Sequence, residues 1–353
     1  MTGERFTTAL LFVVAFVAIG AVLRVTGSIF MPLVIAVLLS SVFSPVVNYL
    51  KHLGVPRAIS IAAVLLVFLA FGFLVGLVLY SSTQSLVRQF PTYQQRLTAL
   101  LRELIERFDL LPSTLLQEFN LSRTLGGALI SFSGNFMAFV SGFTLVIIFL
   151  LFLLIEQPYV RVKLRYSFNP HTMRKIIISF AHINRQIGRY LAVKLFVSSL
   201  TGLVVFMSFS VIGVDFPIIW GILTFMFNFI PSLGSIFISL LASLFALLQF
   251  APDWGPFIAA TLSISVTQLI IGNIIDPKML GDRLNLSPVV IILSLLVWGW
   301  LWGIGGMFLA VPLTVAIKLA FENVPGMKPV GIFMGTGTYI RRRKRAVPRR
   351  EKR

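Results

Sequence analysis

The sequence contains no cysteine and little charge: charged residues make up 12% of its 353 residues, against 57% hydrophobic residues. The absence of cysteine excludes disulfide bonds, thiolate metal sites and a cysteine nucleophile. Soluble proteins average about 25% charged residues, most of them on the surface. A chain with so few charges cannot cover a water-exposed surface of ordinary polarity, so the composition predicts an integral membrane protein.

The sequence also lacks the motifs of the common enzyme classes. It has no Walker phosphate-binding loop, no dinucleotide-binding fingerprint, and no HExxH or GxSxG pattern. The three histidines, His52, His171 and His182, lie far apart in basic connections, which is not the spacing of metal ligands. We therefore predict a protein that is not an enzyme, with no catalytic residue, no cofactor and no bound metal.

Acidic residues are scarce, 12 against 30 Lys and Arg, so that the net charge is +18. Two segments carry most of the excess: residues 157–190 hold seven Lys or Arg and no acid, and residues 341–353 hold nine with one Glu. Both segments flank apolar stretches, as cytoplasmic segments do under the positive-inside rule, and both suit anionic lipid headgroups. The charge pattern predicts contact with the bilayer rather than with nucleic acid, and cytoplasmic N- and C-termini.

Six stretches come close to the about 20 apolar residues that cross a bilayer. They are residues 8–23, 29–50, 59–80, 130–155, 190–213 and 256–275. We therefore predict an all-α polytopic transmembrane helical bundle. Its predicted parts are transmembrane helices 1–3 in residues 1–80, an extracytoplasmic segment in 81–129, helices 4 and 5 with a basic cytoplasmic segment in 130–213, a transport core in 214–325, and a basic cytoplasmic tail in 326–353.

Two further apolar stretches, 216–250 and 287–321, are 35 residues long. As straight helices each would run about 52 Å, far beyond a hydrocarbon core of about 30 Å, so each must break. The first contains Asn-Phe-Ile-Pro-Ser-Leu-Gly-Ser at 228–235, where proline removes a backbone donor and glycine permits a turn. The second loosens across Gly299, Gly303, Gly305 and Gly306. We predict two re-entrant hairpins that enter from opposite sides of the membrane, the first from outside.

The extracytoplasmic segment is amphipathic. Its apolar residues recur at intervals of three and four from Leu86 to Phe108, while Arg88 and Arg96 fall mostly on other faces. This periodicity predicts an amphipathic helix. Such a helix could lie in the membrane interface or pack against a neighbouring subunit, and the sequence leaves both open.

Polar residues of the core are the candidates for solute contact, because polar groups and unwound backbone at membrane depth mark transport pathways. At the first break these are Asn228, Pro231, Ser232 and Gly234. On the span that follows, Thr261, Ser265, Gln268 and Gly272 fall on one predicted helix face, which for Ser and Thr suits interhelical hydrogen bonding equally well. The same helix ends at Asn273, a further candidate contact, and at Asp276.

Asp276 is the candidate for ion coupling. Its default interpretation is a salt bridge with Lys278 or Arg283 at the cytoplasmic side. Gly303, Gly305 and Gly306 are the candidate flexible break of the second hairpin.

The same motifs resemble the signature stretches of the autoinducer-2 exporter (AI-2E) family. They are residues 228–235, residues 272–281, which hold Asn-Ile-Ile-Asp-Pro-Lys, and residues 296–313, which hold Trp-Gly-Trp-Leu-Trp-Gly-Ile-Gly-Gly. The resemblance implies a bacterial inner-membrane protein that exports a small solute, with autoinducer-2 as the name-giving substrate. It also implies a homo-oligomer, with a pentamer as the expected form, and a mobile part made of the two hairpins.

Three functions remain open at this point. The leading one is export of a small polar, autoinducer-2-like solute by alternating access of two opposed hairpins. The second, sodium(lithium)/proton antiport, needs a buried titratable carboxylate, whereas the acids near the spans lie at their ends. The third is a membrane scaffold without transport, which leaves the hairpin breaks unexplained.

Overall fold

The structure is a computed structural model that describes residues 2–108, 121–167, 169–280, 286–324 and 326–336. Within these ranges every regular element is a helix. Arg283 and the basic tail from 337 onward, both part of the sequence predictions, lie outside the described residues, as does 109–120 of the predicted extracytoplasmic segment. The predicted all-α class is confirmed.

The helices follow one another with short connections. In chain order they are α1 Thr2–Val25, α2 Gly27–His52, α3 Arg57–Phe108, α4 Leu121–Ser167, α5 Pro170–Ile212, α6 Pro217–Phe227, α7 Leu233–Phe250, α8 Trp254–Ile270, a π-helix Ile271–Ile275, α9 Asp276–Leu280, α10 Pro288–Asn323 and α11 Lys328–Phe333.

Seven helical segments in the described part of the chain are long and apolar enough to cross a membrane. They are Gly27–His52, Arg57–Gln89, Ala138–Val160, Pro170–Ile212, Leu233–Phe250, Trp254–Met279 and Pro288–Asn323. Together with the composition they make the chain a multi-pass membrane protein.

The chain divides into two compact units. The first unit holds the described parts of Met1–Leu65, Gly142–Val193 and Leu280–Arg353, and the second holds those of Leu66–Ser141 and Lys194–Met279. Each has an apolar core of its own. The core of the first unit is formed by Leu38, Ile187, Tyr190, Leu191, Leu286, Val311, Val315 and Leu319. The core of the second unit is formed by Val205, Phe209, Val214, Trp220, Ile238, Ala242, Ala246, Ala260 and Ile264.

The first hairpin, α6 and α7, belongs to the second unit. The helix stops after Phe227 and resumes at Leu233, so the predicted break is confirmed. At its tip the amide of Leu233 donates to the carbonyl of Pro231 at 2.6 Å, and Ser232 between them has φ 59° and ψ −51°. This is the strained form of the three-residue γ-turn, which non-glycine residues rarely adopt. The turn reverses the chain within a few residues.

The two ends of the first hairpin lie together. The side chain of Gln249, at the end of α7, donates to the carbonyl of Gly213 at 2.8 Å and accepts from the amide of Asp215 at 2.7 Å. Both of these residues precede α6. The chain therefore leaves and re-enters the hairpin at one place, as expected for a re-entrant element.

The second hairpin is α10, which belongs to the first unit. Its helical geometry fails at Trp302 and Gly303, and Gly303 has φ 62° and ψ −143°, a conformation that only glycine adopts easily. Beyond the break the chain folds back, because Nε1 of Trp298 donates to Oγ1 of Thr314 at 3.3 Å. In a continuous helix these two residues would be about 24 Å apart.

The predicted amphipathic segment differs from expectation in one respect. It is not a separate helix, since α3 continues without interruption from the third span to Phe108. Tyr93 on this extension is buried, its ring lies 5.2 Å from that of Phe245, and its hydroxyl donates to Asp215. Arg96, three residues on, donates to the carbonyl of Gln249. The extension therefore packs on the ends of the first hairpin in its own chain.

Candidate functional site

The tip of the first hairpin is anchored through Asn228. This residue follows α6 directly and is 4% exposed. Its Nδ2 donates to Oγ of Ser198 at 3.1 Å and to Oγ1 of Thr201 at 3.4 Å, both on α5. Ser198 and Thr201 are themselves fully buried. The interaction sets an amide and two hydroxyls side by side among apolar helices, where a polar group without a partner is costly.

Gln268 brings a second amide into the same unit. It is 7% exposed, and neither its Nε2 nor its Oε1 finds a hydrogen-bond partner within the described ranges. The same holds for Oγ1 of Thr224, one helical turn before Asn228, and for Oγ1 of Thr261 on α8. An unpaired buried polar group costs about 1–3 kcal/mol. These groups therefore offer hydrogen bonds that a polar solute can satisfy.

An ion pair lies at one end of this polar region. Nζ of Lys194 on α5 is 2.7 Å from Oδ2 of Asp276, and the two side chains are 5% and 16% exposed. The prediction that Asp276 pairs with Lys278 or Arg283 is wrong for Lys278: this residue is exposed on the short helix α9, and the carboxylate faces α5 instead. Oδ1 of Asp276 is buried without a partner in the described part of the chain.

The π-helix gives Asp276 its inward direction. Residues 271–275 insert one wider turn between Gln268 and Asp276. Such a turn shifts the register of everything that follows it relative to an unbroken α-helix, and π-turns are frequent at functional sites. The uniform helix face that the spacing predicts from Thr261 to Asp276 cannot include this shift.

The positions of these polar groups along α5 and α8 can be compared with each other. Because the ends of the first hairpin lie beside the end of α5, and α8 starts from there and returns to Lys194, α5 and α8 run antiparallel within the unit. Thr201 lies seven residues from Lys194 and Gln268 lies eight residues from Asp276, which is about 10–12 Å of rise in each case. Gln268 and the hydroxyls that hold Asn228 therefore lie in the same direction from the ion pair, toward the ends of the first hairpin.

The other predicted contact residues differ in burial. Gly234 is buried, and a Cβ there would overlap the carbonyl of Phe227, so glycine is required for the close return of the chain. Pro231 is half-buried, whereas Ser232 and Asn273 are exposed. Ser265, which the spacing places on the face of Gln268, is also exposed, since the buried face centres on Ile264 and Ile271.

The predicted glycines of the second hairpin have two different structural roles. Gly303 holds the break itself, whereas Gly305 and Gly306 are helical. A Cβ at 306 would overlap the carbonyl of Trp298, and one at 305 would overlap the side chain of Met31. Their role in motion stays a prediction.

Sequence reasoning missed two buried lysines. Lys194 falls inside a predicted apolar span, next to the basic segment that ends at Arg189. Lys318 on α10 is also buried, and its Nζ lies 3.3 Å from Oε1 of Glu322, one turn away. The sequence contains an indication of Lys194, because Ser198 and Thr201 follow it at four and seven residues. This spacing places the three polar side chains on one helix face.

The end of the second unit at which the first hairpin begins contains one more buried titratable group. Burial, and next the hydrogen bond to Asp215, raise the pKa of the Tyr93 phenol. The phenol therefore stays protonated and remains a donor to the carboxylate. Among the described residues there is no cluster of three or more His, Cys, Asp or Glu side chains that could hold a metal ion.

Comparison with known proteins agrees with this architecture. The family model described as AI-2E family transporter matches residues 10–326. A candidate transport protein of Borreliella burgdorferi is 33% identical over 92% of this chain and 89% of its own length. The candidate transport protein YhhT of Escherichia coli K12 is 31% identical over 93% of this chain and 94% of its own length. The AI-2 transport protein TqsA of the same organism is 29% identical, over 88% and 91%. This multi-pass membrane protein belongs to the AI-2E transporter family.

Proposed function

We propose that this transporter exports a small polar solute of the autoinducer-2 type, and that the solute contacts Asn228 and Gln268 in the second unit. The observation that carries the proposal is the pair of buried amides in this unit, of which that of Gln268 has both atoms unpaired in the described structure. Asn228 sits where the helix unwinds. Unwound backbone beside buried polar side chains is typical of solute sites in secondary transporters.

The nature of the groups supports a polar solute. Thr224, Asn228 and Gln268 are neutral donors and acceptors, which suit hydroxyl and carbonyl groups of a cargo. The name of TqsA refers to transport of AI-2, and that protein aligns with most of this chain. Autoinducer-2 is therefore the first solute to test.

The test is exchange of labelled autoinducer-2 across vesicles that contain the purified protein and unlabelled solute at high internal concentration. Gln268→Leu removes the free amide at nearly constant volume. We expect about a tenfold loss of exchange, the value of one lost hydrogen bond of roughly 1.5 kcal/mol. Ser265→Ala, on the same helix but exposed, is the matched control and should exchange normally. Wild-type protein without exchange, or a Gln268→Leu variant equal to wild type, would contradict the proposal.

Sodium(lithium)/proton antiport is the second candidate, because such exchange requires a buried carboxylate and the side chain of Asp276 is only 16% exposed. A sodium or lithium pulse outside vesicles with an internal pH dye distinguishes the two. Cation-dependent proton movement, together with the absence of solute exchange, would favour antiport.

The location and assembly form part of the same proposal. The bacterial transport proteins to which the chain is similar support a bacterial inner membrane. The positive charge on residues 157–190 supports an orientation with both termini in the cytoplasm. The family resemblance supports a homo-oligomer, with a pentamer as the expected form. We propose that the two hairpins move to alternate access. Protease protection of terminal tags and native mass spectrometry measure orientation and subunit number.

A further inference from the structure

We infer that transport is coupled to a proton that binds Asp276 in its ion pair with Lys194. This inference rests on the proposed export function and extends it, because it assigns the coupling ion and gives a role to Lys194, which no sequence motif singles out. It starts from a buried pair in which each partner lies within a candidate membrane span.

The composition of the second unit makes this pair stand out. Neither α6, α7 nor α8 contains a charged residue, and Lys194 is the one charge in the part of α5 that belongs to this unit. On α9, Asp276 faces Lys194, whereas the neighbouring Lys278 is exposed. The pair is neutral as a whole, and a charge in an apolar interior is stable only when it is paired.

Asp276 is the partner that can accept a proton. Its Oδ2 holds Lys194, while its Oδ1 is buried without a partner among the described residues. Its side chain is also the more exposed of the two, 16% against 5%. In the coupling step a proton passes from a hydronium ion to Oδ1, an O–H bond forms, a water molecule is left, and the carboxylate becomes neutral. Release to water on the other side reverses the step.

Protonation of Asp276 destabilises this arrangement. Lys194 is left as an unbalanced charge, and a buried charge without its partner is strongly unfavourable. Because the two residues come from different elements, α5 and α9, the pair can separate by movement of one element relative to the other. The pair Lys318–Glu322, whose lysine is buried and whose glutamate is 33% exposed, differs in this respect, since both residues lie one turn apart on α10 and must move together.

The geometry also links the pair to the proposed solute contacts. Ser198 and Thr201, which accept hydrogen bonds from Asn228, follow Lys194 by one and two turns on the same helix face. A displacement of this part of α5 therefore changes the position of the groups that hold the hairpin tip. Proton binding and solute binding thus act on one helix face.

The test compares two activities of vesicles that contain the purified protein. Solute exchange at equal pH measures binding and passage of autoinducer-2 without a driving force. Release of autoinducer-2 under an imposed pH gradient, with a pH dye on the receiving side, measures coupling. For the wild type we expect about a tenfold stimulation by the gradient, within the usual range of coupling between two sites, with proton movement that depends on the solute.

The variant is Lys194→Gln combined with Asp276→Asn, because a neutral pair leaves no unbalanced buried charge and so avoids the folding defect of either single change. We expect exchange within about threefold of the wild type, because joint replacement of both partners of a buried ion pair is often close to neutral, and we expect loss of the stimulation. Lys318→Gln combined with Glu322→Gln is the matched control and should keep the stimulation.

The inference is overturned, with the export function intact, if the Lys194/Asp276 double variant responds to the pH gradient as the wild type does. It is likewise overturned if a sodium gradient drives release in place of the pH gradient. Loss of exchange and stimulation together in that variant would also overturn it, because the pair would then belong to solute passage itself. Absence of exchange in the wild type would instead refute the export function, and the inference with it.

Discussion

The two hairpins both reverse the chain within an apolar stretch, but the geometry of their breaks differs. Each interrupts an apolar stretch too long for one span, and each returns the chain closely past a glycine, Gly234 in the first and Gly306 in the second. The first break spans several residues and ends in a γ-turn at Ser232. The second is confined to Trp302 and Gly303.

Their polar surroundings differ even more. The first hairpin attaches a buried amide, Asn228, to two hydroxyls of α5. At the second break the polar contacts come from indoles, since Trp298 donates to Thr314 and Trp302 donates to the carbonyl of Leu23. The comparison supports the proposal that the solute binds beside the first hairpin, whereas the second hairpin forms a tightly packed bend. Three changes test this distinction.

The largest effect is expected for Gly234→Ala. A Cβ at this position overlaps backbone, the carbonyl of Phe227, which cannot move without opening the hairpin. We expect a loss of about 3 kcal/mol, at the upper end of overpacking costs, and loss of solute exchange. Thermal unfolding in detergent measures the loss of stability. Gly272→Ala is the matched control in the same unit, because a Cβ there meets no atom within 4 Å. Equal stability of the two variants would contradict the close return at the first tip.

A smaller loss is expected for Gly303→Ala. The residue has positive φ with extended ψ, which an alanine adopts at a cost of about 1–3 kcal/mol. We expect a lower midpoint of thermal unfolding with solute affinity retained, since no proposed contact lies there. Gly142→Ala, in the same unit and with open space around its Cβ, is the control. A change in affinity for autoinducer-2 without a change in stability would show that the second break takes part in solute binding.

The smallest effect is expected for Ser232→Gly. Glycine removes the strain of the γ-turn. It also increases the conformational entropy of the unfolded chain, which lowers the stability by about 0.5–1 kcal/mol. The two terms oppose each other, so the unfolding midpoint should change little. The exchange rate is the more informative measurement, because a change in rate at constant stability would indicate that the strained turn is part of the transport step.

Much of the architecture followed from length and composition. A hydrocarbon core of fixed thickness limits the length of a helix, so the two 35-residue stretches had to break, and glycine and proline marked where. The choice of Asn228 and Gln268 as candidate contacts followed from the same reasoning, since polar residues are rare in apolar spans; both side chains are buried, and their contact with a solute stays a prediction. These features depend on local sequence and on the bilayer.

Tertiary structure decided the partners. Lys194 and Asp276 are 82 residues apart. The local pattern favours Lys278 as the partner of Asp276, because neighbours in sequence carry no information about which helices pack together. The π-helix before Asp276 changed the direction of the carboxylate, and the continuation of α3 brought Tyr93 to the hairpin ends.

The sequence by itself determined that the chain crosses the membrane several times and where two of its apolar stretches break, because these features depend on hydrophobic length. Only packing determined which buried charges meet, because that choice is made between elements distant in the chain.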